Sequence, residues 1–233
     1  MRNLKVSLEE KLNTLRKNPY FNELDDAALQ EAAEFMHLRE FERGEILFWE
    51  GEPCAGLHII QQGSVKLYRL SPQGRQYIVR VLQEGETCNE VPVFDGGANP
   101  VNVEALEAAR VWVIEPEVLR RLLISHPEFA QKVITNFSKN LRSLVRMVSE
   151  MAFYQVTHRL ARLISQIPPD ELSGESGSRL TQDQIAARLG TVREVVARSL
   201  RELERSGAIH VENRRIQVSD PEVLQQWVQV RLP

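Results

Sequence analysis

Four side chains near the carboxy end combine type and spacing in a way that can do chemistry: Arg193, Glu194, Arg198 and Arg201. They lie among Val192, Val196 and Leu200, apolar residues that recur every four positions. On a helix that stripe turns inward and leaves the charged residues on exposed faces. A guanidinium donates two hydrogen bonds to guanine O6 and N7, and a carboxylate accepts from cytosine N4. Arg193 and Glu194 fall in the first turn, the end that a reading helix pushes into a major groove. On an arbitrary helix the same pair would be solvated charge, with the Glu favoured by the helix dipole. Their neighbours decide between the two.

No other set of reactive residues is comparable. His37, His58, His126, His158 and His210 are scattered without metal-ligand spacing, so no metal site is expected. Cys54 and Cys88 cannot form a disulfide framework, a CxxC pair or a four-thiolate site. Glycine-rich phosphate loops, HExxH and G-x-S-x-G are absent from the sequence, which argues against an enzyme.

The elements around the arginines give them a setting. Upstream, Thr181 is the expected N-cap of a helix whose Ile185, Ala186 and Leu189 form one apolar face, and Gly190 ends it. Two short helices joined at a glycine describe a helix-turn-helix. Downstream, Ala208 to Val218 reads as two short strands about Asn213-Arg214, a wing. Arg214 and Arg215 at its tip are placed to reach phosphates, which position a protein without reading sequence.

The rest of the chain must present that module. Leu8 to Phe35 reads as two short helices split near Pro19, with Asp25 or Asp26 as N-cap of the second. From His37 to Ile114 short apolar stretches alternate between regularly placed glycines: Val65/Leu67, Tyr77/Val79/Val81, Val101/Val103/Ala105, Val111/Val113. That is the pattern of an antiparallel barrel or roll. Beyond it, Pro127 can open a helix. Ile134, Phe137, Leu141, Leu144, Val148 and Met151 follow 3-4-3-4-3 spacing, a seam that can bury itself in its own domain or against a second copy. The expected fold class is α+β: a roll domain over residues 1–126, a helix and hinge over 127–154, and a winged helix-turn-helix over 155–233.

Composition agrees with a water-soluble protein. The 233 residues are 42% hydrophobic and 26% charged, with a formal net charge of -3. No run approaches the roughly 18 apolar residues of a membrane span, and the start lacks a signal-peptide core, so a cytoplasmic protein is expected. From Gln155 onward there are 11 Arg, no Lys and 10 Asp or Glu, a net of +1, which leaves the remainder at -4. The carboxy-terminal part is the less repulsive one for a polyanion.

With these motifs in place, the chain resembles the CRP/FNR family of bacterial transcription regulators over almost its whole length. Ile185-Ala186-Ala187-Arg188-Leu189-Gly190-Thr191-Val192-Arg193-Glu194 looks like the family's recognition segment, whose Arg-Glu-x-x-x-Arg core falls on Arg193, Glu194 and Arg198. The resemblance implies base contacts by those three and backbone contacts by Thr181, Gln182, Arg201, Arg214 and Arg215. Arg43-Gly44-Glu45-Ile46-Leu47-Phe48-Trp49-Glu50-Gly51 looks like the opening of the family's cyclic-nucleotide-binding β-roll. The seam sits where the family has its dimerisation helix, so Phe137, Leu141, Leu144, Val148 and Met151 are expected at a homodimer interface. Double-stranded DNA and RNA polymerase are the implied partners.

The likeness fails at the phosphate cassette. Members that bind cyclic AMP carry Gly-Glu-Leu and, ten residues after the Glu, an Arg followed by Ser or Thr. Here Glu90 remains, but Asn89 replaces the glycine, Pro100 stands at the arginine and Val101 at the hydroxyl residue. An anionic phosphate would meet no cation there, which argues against cyclic AMP in the usual mode. Cys88, Asn89, Glu90 and Val101 mark the expected effector region. Two cysteines argue against an iron–sulfur cluster. Haem held by Cys88, His37 or His58, redox sensing by Cys88 or Cys54, and a regulator that follows only its own abundance stay open. So does a cyclic-nucleotide-binding regulatory subunit, although it leaves the winged tail unexplained.

Overall fold

The computed structural model describes residues 2–4, 6–168, 172, 180–212 and 215–229. It divides into two compact units, Met1–Arg69 with Val79–Leu141, and Leu70–Ile78 with Arg142–Pro233. No helix among the described residues is long and apolar enough to cross a membrane.

Helices α1 (Leu8–Lys17) and α2 (Asp26–Glu34) open the first unit. Each starts where a short polar side chain satisfies an orphan backbone donor. Ser7 Oγ accepts from Glu10 N, and Asp25 Oδ1 accepts from Ala28 N at 2.8 Å. Five strands follow the order β1 (Arg2–Leu4), β2 (Met36–Phe41), β9 (Ala109–Ile114), β4 (Leu57–Gln62), β7 (Thr87–Cys88). Four more follow the order β3 (Ile46–Phe48), β8 (Asn102–Ala105), β5 (Val65–Leu70), β6 (Gln76–Leu82).

Strand β9 joins two cores. Trp112 and Ile114 face a cluster with Leu15, Phe21 and Met36 from the helical side, while Ala109 and Val111 face the roll interior with Phe48, Val65 and Leu82. A strand covered on both faces is apolar throughout, so its sequence shows a continuous run instead of clean alternation. Helices α3 (Glu90–Asp95), α4 (Pro116–Ser125) and α5 (Pro127–Phe153) follow, and α5 passes from the first unit into the second at Arg142.

Two details differ from the sequence reading. In β6 the buried positions are Ile78 and Leu82, out of phase with Tyr77/Val79/Val81. Both faces of that strand meet cover, since Tyr77 Oη bonds Met147 Sδ at 3.2 Å. Helix α3 interrupts a stretch that reads as strands; at six residues it is too short to show a helical period, and it starts and stops at the left-handed residues Asn89 and Gly96.

The second unit holds α6 (Val156–Gln166), α7 (Gln182–Leu189), α8 (Arg193–Arg205), strands β10 (Ile209–Glu212) and β11 (Arg215–Val218), and α9 (Pro221–Gln229). Its core gathers Leu160, Ile164, Ile185, Val196, Leu203 and Ile216. Asp220 Oδ1 accepts from Glu222 N and Val223 N, which caps α9.

Gly56 is one of two glycines in the roll, with Gly63, where a Cβ would meet a backbone carbonyl. Its φ is +95°, and a Cβ there would lie 2.6 Å from the Ile114 carbonyl oxygen. Gly44 has φ +85° with open space around it. Gly44→Ala should therefore lose only the left-handed backbone cost, roughly 1–2 kcal/mol, whereas Gly56→Ala adds a backbone clash and should lose clearly more. Urea unfolding of the two variants checks the order, and equal losses would contradict the steric account.

Candidate nucleic-acid interface

The helix-turn-helix is built from local signals. Thr181 has extended backbone and accepts from Gln184 N, while Gln184 Oε1 accepts from Thr181 N at 2.8 Å, a closed capping box. Gly190, at φ +63°, ends α7. Arg159 Nη1 donates to Leu189 O at 2.8 Å, covering one of the carbonyls that the helix end exposes. The chain then re-enters a helix at Arg193, and Val192, its N-cap, supplies no side-chain cap. The first N–H groups of α8 keep donors at a positive helix end, where an anion is favoured.

The inner face of α8 is fixed by packing and by polar ties. Val196, Ser199, Leu200 and Leu203 are buried. Thr157 Oγ1 lies 3.0 Å from Ser199 Oγ and 2.7 Å from Glu202 Oε2. At its far end Glu204 Oε1 accepts from Val211 N at 2.9 Å, which ties the helix to β10. Trp227 Nε1 donates to Ser206 Oγ at 3.0 Å, so α9 braces the same corner.

The outer face carries Arg193, Glu194, Arg198 and Arg201, all exposed. Of the residues expected at the backbone, Thr181 is exposed with its hydroxyl engaged in the cap, and Gln182 is half-buried at the first position of α7. Arg215 is exposed at the start of β11, paired with Glu212 across the two strands. Arg214 lies outside the described residues. Sequence reasoning missed Asp183, whose Oδ2 is 3.6 Å from Arg193 Nη1. Both partners are exposed, so the pair is worth little in energy, but it orients the guanidinium between α7 and α8.

The expected seam residues do not behave alike. Leu141, Leu144 and Val148 are 62%, 49% and 65% exposed, and Val145 and Ile134 join them. Phe137 differs: it is half-buried, edge-on to the Phe94 ring at 6.0 Å, and packs on its own unit's core. The Met151 side chain is outside the described residues.

The expected effector residues point in different directions. Cys88 is buried among roll core side chains. Val101 packs against the same cluster, half-buried. Asn89 holds the left-handed conformation, φ +73°, that glycine would take without cost. Its Nδ2 donates to Gly56 O at 3.1 Å and to Asn99 Oδ1 at 3.0 Å. Asn99 is itself buried; its Nδ2 donates to Trp49 O and its Oδ1 accepts from Ala55 N. Two carboxamides thus span the start of the cassette with Pro100 beside them, exposed. Glu90 turns elsewhere, towards Tyr20 Oη at 3.3 Å and Thr87 Oγ1.

Of the conceivable haem ligands, two are neighbours and the third, His37, stands apart. His58 and Cys88 pair across β4 and β7, both buried, and Phe48 lies 4.9 Å from the His58 ring. His37 is half-exposed, with Nε2 3.5 Å from Glu115. No group of three or more His, Cys, Asp or Glu among the described residues could hold a metal ion. Burial raises the thiols of Cys88 and Cys54 above the ordinary range, the opposite of an activated thiolate.

Comparison with known proteins follows the same two parts. A model of the cyclic nucleotide-binding domain matches residues 38–126, and one of the Crp-like helix-turn-helix domain matches residues 158–227. The chain belongs to the CRP/FNR family. It is a DNA-binding transcription regulator and not an enzyme. Among its curated relatives, the CRP-like cAMP-activated global transcriptional regulator of Mycobacterium tuberculosis is 26% identical over 209 residues, 88% of this chain and 93% of that protein. The global nitrogen regulator of Synechococcus elongatus is 25% identical over 82% of this chain and 89% of its own length. Among solved structures, a crp/fnr-family regulator from Eubacterium rectale has a TM-score of 0.76 at 19% identity, covering 92% of this chain and all of that one. The c-di-GMP responsive global regulator of Xanthomonas campestris has a TM-score of 0.68 at 21% identity over 84% of this chain and all of that one.

His58 gives this family member a pH-dependent stability. Burial, with the Arg39 charge adding to it, lowers the imidazole pKa from 6.5 to about 4, against an opposing bond from Nδ1 to the Gly56 carbonyl. The unfolded chain takes up a proton near pH 6.5 that the folded chain refuses until about pH 4, so stability falls as pH drops through that window. The expected loss is about 3 kcal/mol. Urea midpoints at neutral and acid pH, compared between the natural chain and His58→Leu, check it; an unchanged pH slope in the variant would refute the assignment.

Proposed function

We propose that the protein acts as a homodimer that reads a pseudo-palindromic operator, with Arg193, Glu194 and Arg198 contacting base edges. The observation that carries this reading is the division of α8 into a buried apolar face and an exposed Arg-Glu-Arg face that begins at a helix end without a side-chain cap. Thr181, Gln182, Arg201 and Arg215 stand around that face and are assigned to the DNA backbone, as is Arg214. Two such helices would enter successive major grooves about 34 Å apart. RNA polymerase and a cytoplasmic setting follow from a role at promoters. The functional division is a roll over residues 1–126, a dimerisation helix and hinge over 127–154, and the DNA-binding domain over 155–233.

Pairing of two copies is supported by the bare apolar stripe Leu141, Leu144, Val145 and Val148 on α5. Each buried side chain of this kind contributes roughly 1.5–3 kcal/mol, and four from each copy can hold a dimer. The M. tuberculosis relative is named as cAMP-activated, but control of this chain by cyclic AMP in the usual mode is disfavoured. The carboxamides of Asn89 and Asn99 bond each other at the cassette, and neither Pro100 nor Val101 offers a cation or hydroxyl to a phosphate.

Arg193→Ala and Arg198→Ala should each lose roughly 1–3 kcal/mol of discrimination between operator and random DNA, measured by competition binding. Arg215→Ala should weaken both DNAs alike and flatten the salt dependence. Equal losses on both DNAs for Arg193→Ala would remove its reading role. In sedimentation, Leu144→Asp should give monomers; an unchanged oligomer would place the interface elsewhere.

A further inference from the structure

We propose that a second small-molecule site, apart from the cassette, lies in the first unit and takes a small zwitterion of the α-amino acid type. The site is a cavity of about 210 Å³ where the α1–α2 connection, the cassette helix α3 and the first half of α5 converge. Of the expected effector residues only Glu90 lines it.

Asn18 is the observation that asks for a ligand. It is 4% exposed, and its Oδ1 accepts from Tyr20 N at 3.0 Å, which fixes the orientation of the amide. Its Nδ2 is then a buried donor without a partner. Native proteins rarely leave such a group unanswered, and the exceptions call for an explanation. The opposite charge stands across the same cavity. Glu90 receives Tyr20 Oη and Thr87 Oγ1 on the same oxygen, Oε1, which leaves Oε2 open.

Most other charges there are already matched. Arg80 is paired with Glu86 Oε1, and Glu86 Oε2 accepts from Gln83 N. Lys139, exposed on α5, has no ion pair or hydrogen bond among the described residues. The cavity therefore offers one open carboxylate oxygen, one ammonium and one buried amide donor, with Asn140 beside them. That set complements a dipolar molecule: its ammonium on Glu90 Oε2 and its carboxylate on Lys139, with Asn18 Nδ2, sealed from solvent in the empty cavity, engaged only as the ligand displaces the wall around it. The volume is below the roughly 300–1,000 Å³ of sites for drug-sized ligands, which suits an amino acid and not a nucleotide.

A ligand here would tie α5 to the α1–α2 connection, and α5 carries the proposed dimer stripe. It would shift DNA binding only by its preference for one arrangement of α5 over another. That regulatory consequence rests on the homodimer reading; the binding itself does not.

The test is calorimetry on the full-length chain with each proteinogenic amino acid in turn, alongside propionate and ethylamine as half-ligands. At least one amino acid should bind with a Kd of about 1 mM or tighter, and both half-ligands should bind at least about tenfold more weakly, about 1.4 kcal/mol. Lys139→Ala and Glu90→Gln should each weaken binding by a similar factor; the first alters an exposed residue and the second can keep the Tyr20 and Thr87 bonds. No binding by any amino acid, equal binding of propionate, or indifference to both substitutions would overturn the site. Operator affinity of the natural chain without amino acid is measured separately: its absence would count against the DNA-binding reading and leave the calorimetry to judge the site.

Discussion

The burial of one face of α8 is the constraint on which the interface depends. Val196, Leu200 and Leu203 leave water together with Leu160 and Ile164 of α6, and this fixes the rotation of α8 about its own axis. A helix turned by one residue would move about 100° and bring Arg193 or Arg198 into the core, where an unpaired guanidinium is prohibitively costly. The hydrophobic effect therefore sets which side chains face outward, and the Thr157, Ser199 and Glu202 ties sharpen a choice already made. The wing and α9 act on the other end of the same helix, through Glu204 and Ser206, so both ends are held while the outer face stays free to engage a ligand.

The roll shows how a binding fold can keep its backbone and alter its chemistry. Asn89 adopts the left-handed turn that a glycine would take without cost, and the chain enters α3 there. Asparagine tolerates that conformation better than most residues with a Cβ. Its amide, however, reaches Gly56 and Asn99, and the shape survives with protein atoms bonded across the cassette. Glu90 keeps its place in the sequence yet turns to Tyr20 and Thr87.

Much of this was legible in the sequence where a local rule acts alone. Thr181 and Gly190 mark the ends of α7 by capping chemistry, Asp25 starts α2, and the period of Val192, Val196 and Leu200 identifies the inward face of α8. Legibility ended where tertiary contacts choose between equal local options. Phe137 fits the seam by spacing but finds Phe94, and β6 is apolar enough on both faces that alternation cannot fix its phase. Asp183 beside Arg193, and Asn18 beside Glu90, are meetings across the fold that spacing along the chain does not encode. Asn89 did leave a signal, since asparagine in place of a turn glycine is the substitution that a positive φ tolerates.

The carboxy-terminal part, from Gln155 onward, carries only guanidinium cations, without a single ammonium. Guanidinium stays protonated at any pH a cell reaches, and lysine acetylation has no substrate there. The cationic charge that its arginines offer a polyanion is therefore constant across metabolic states. Changing the grip of those side chains means moving them, because their charge cannot be adjusted.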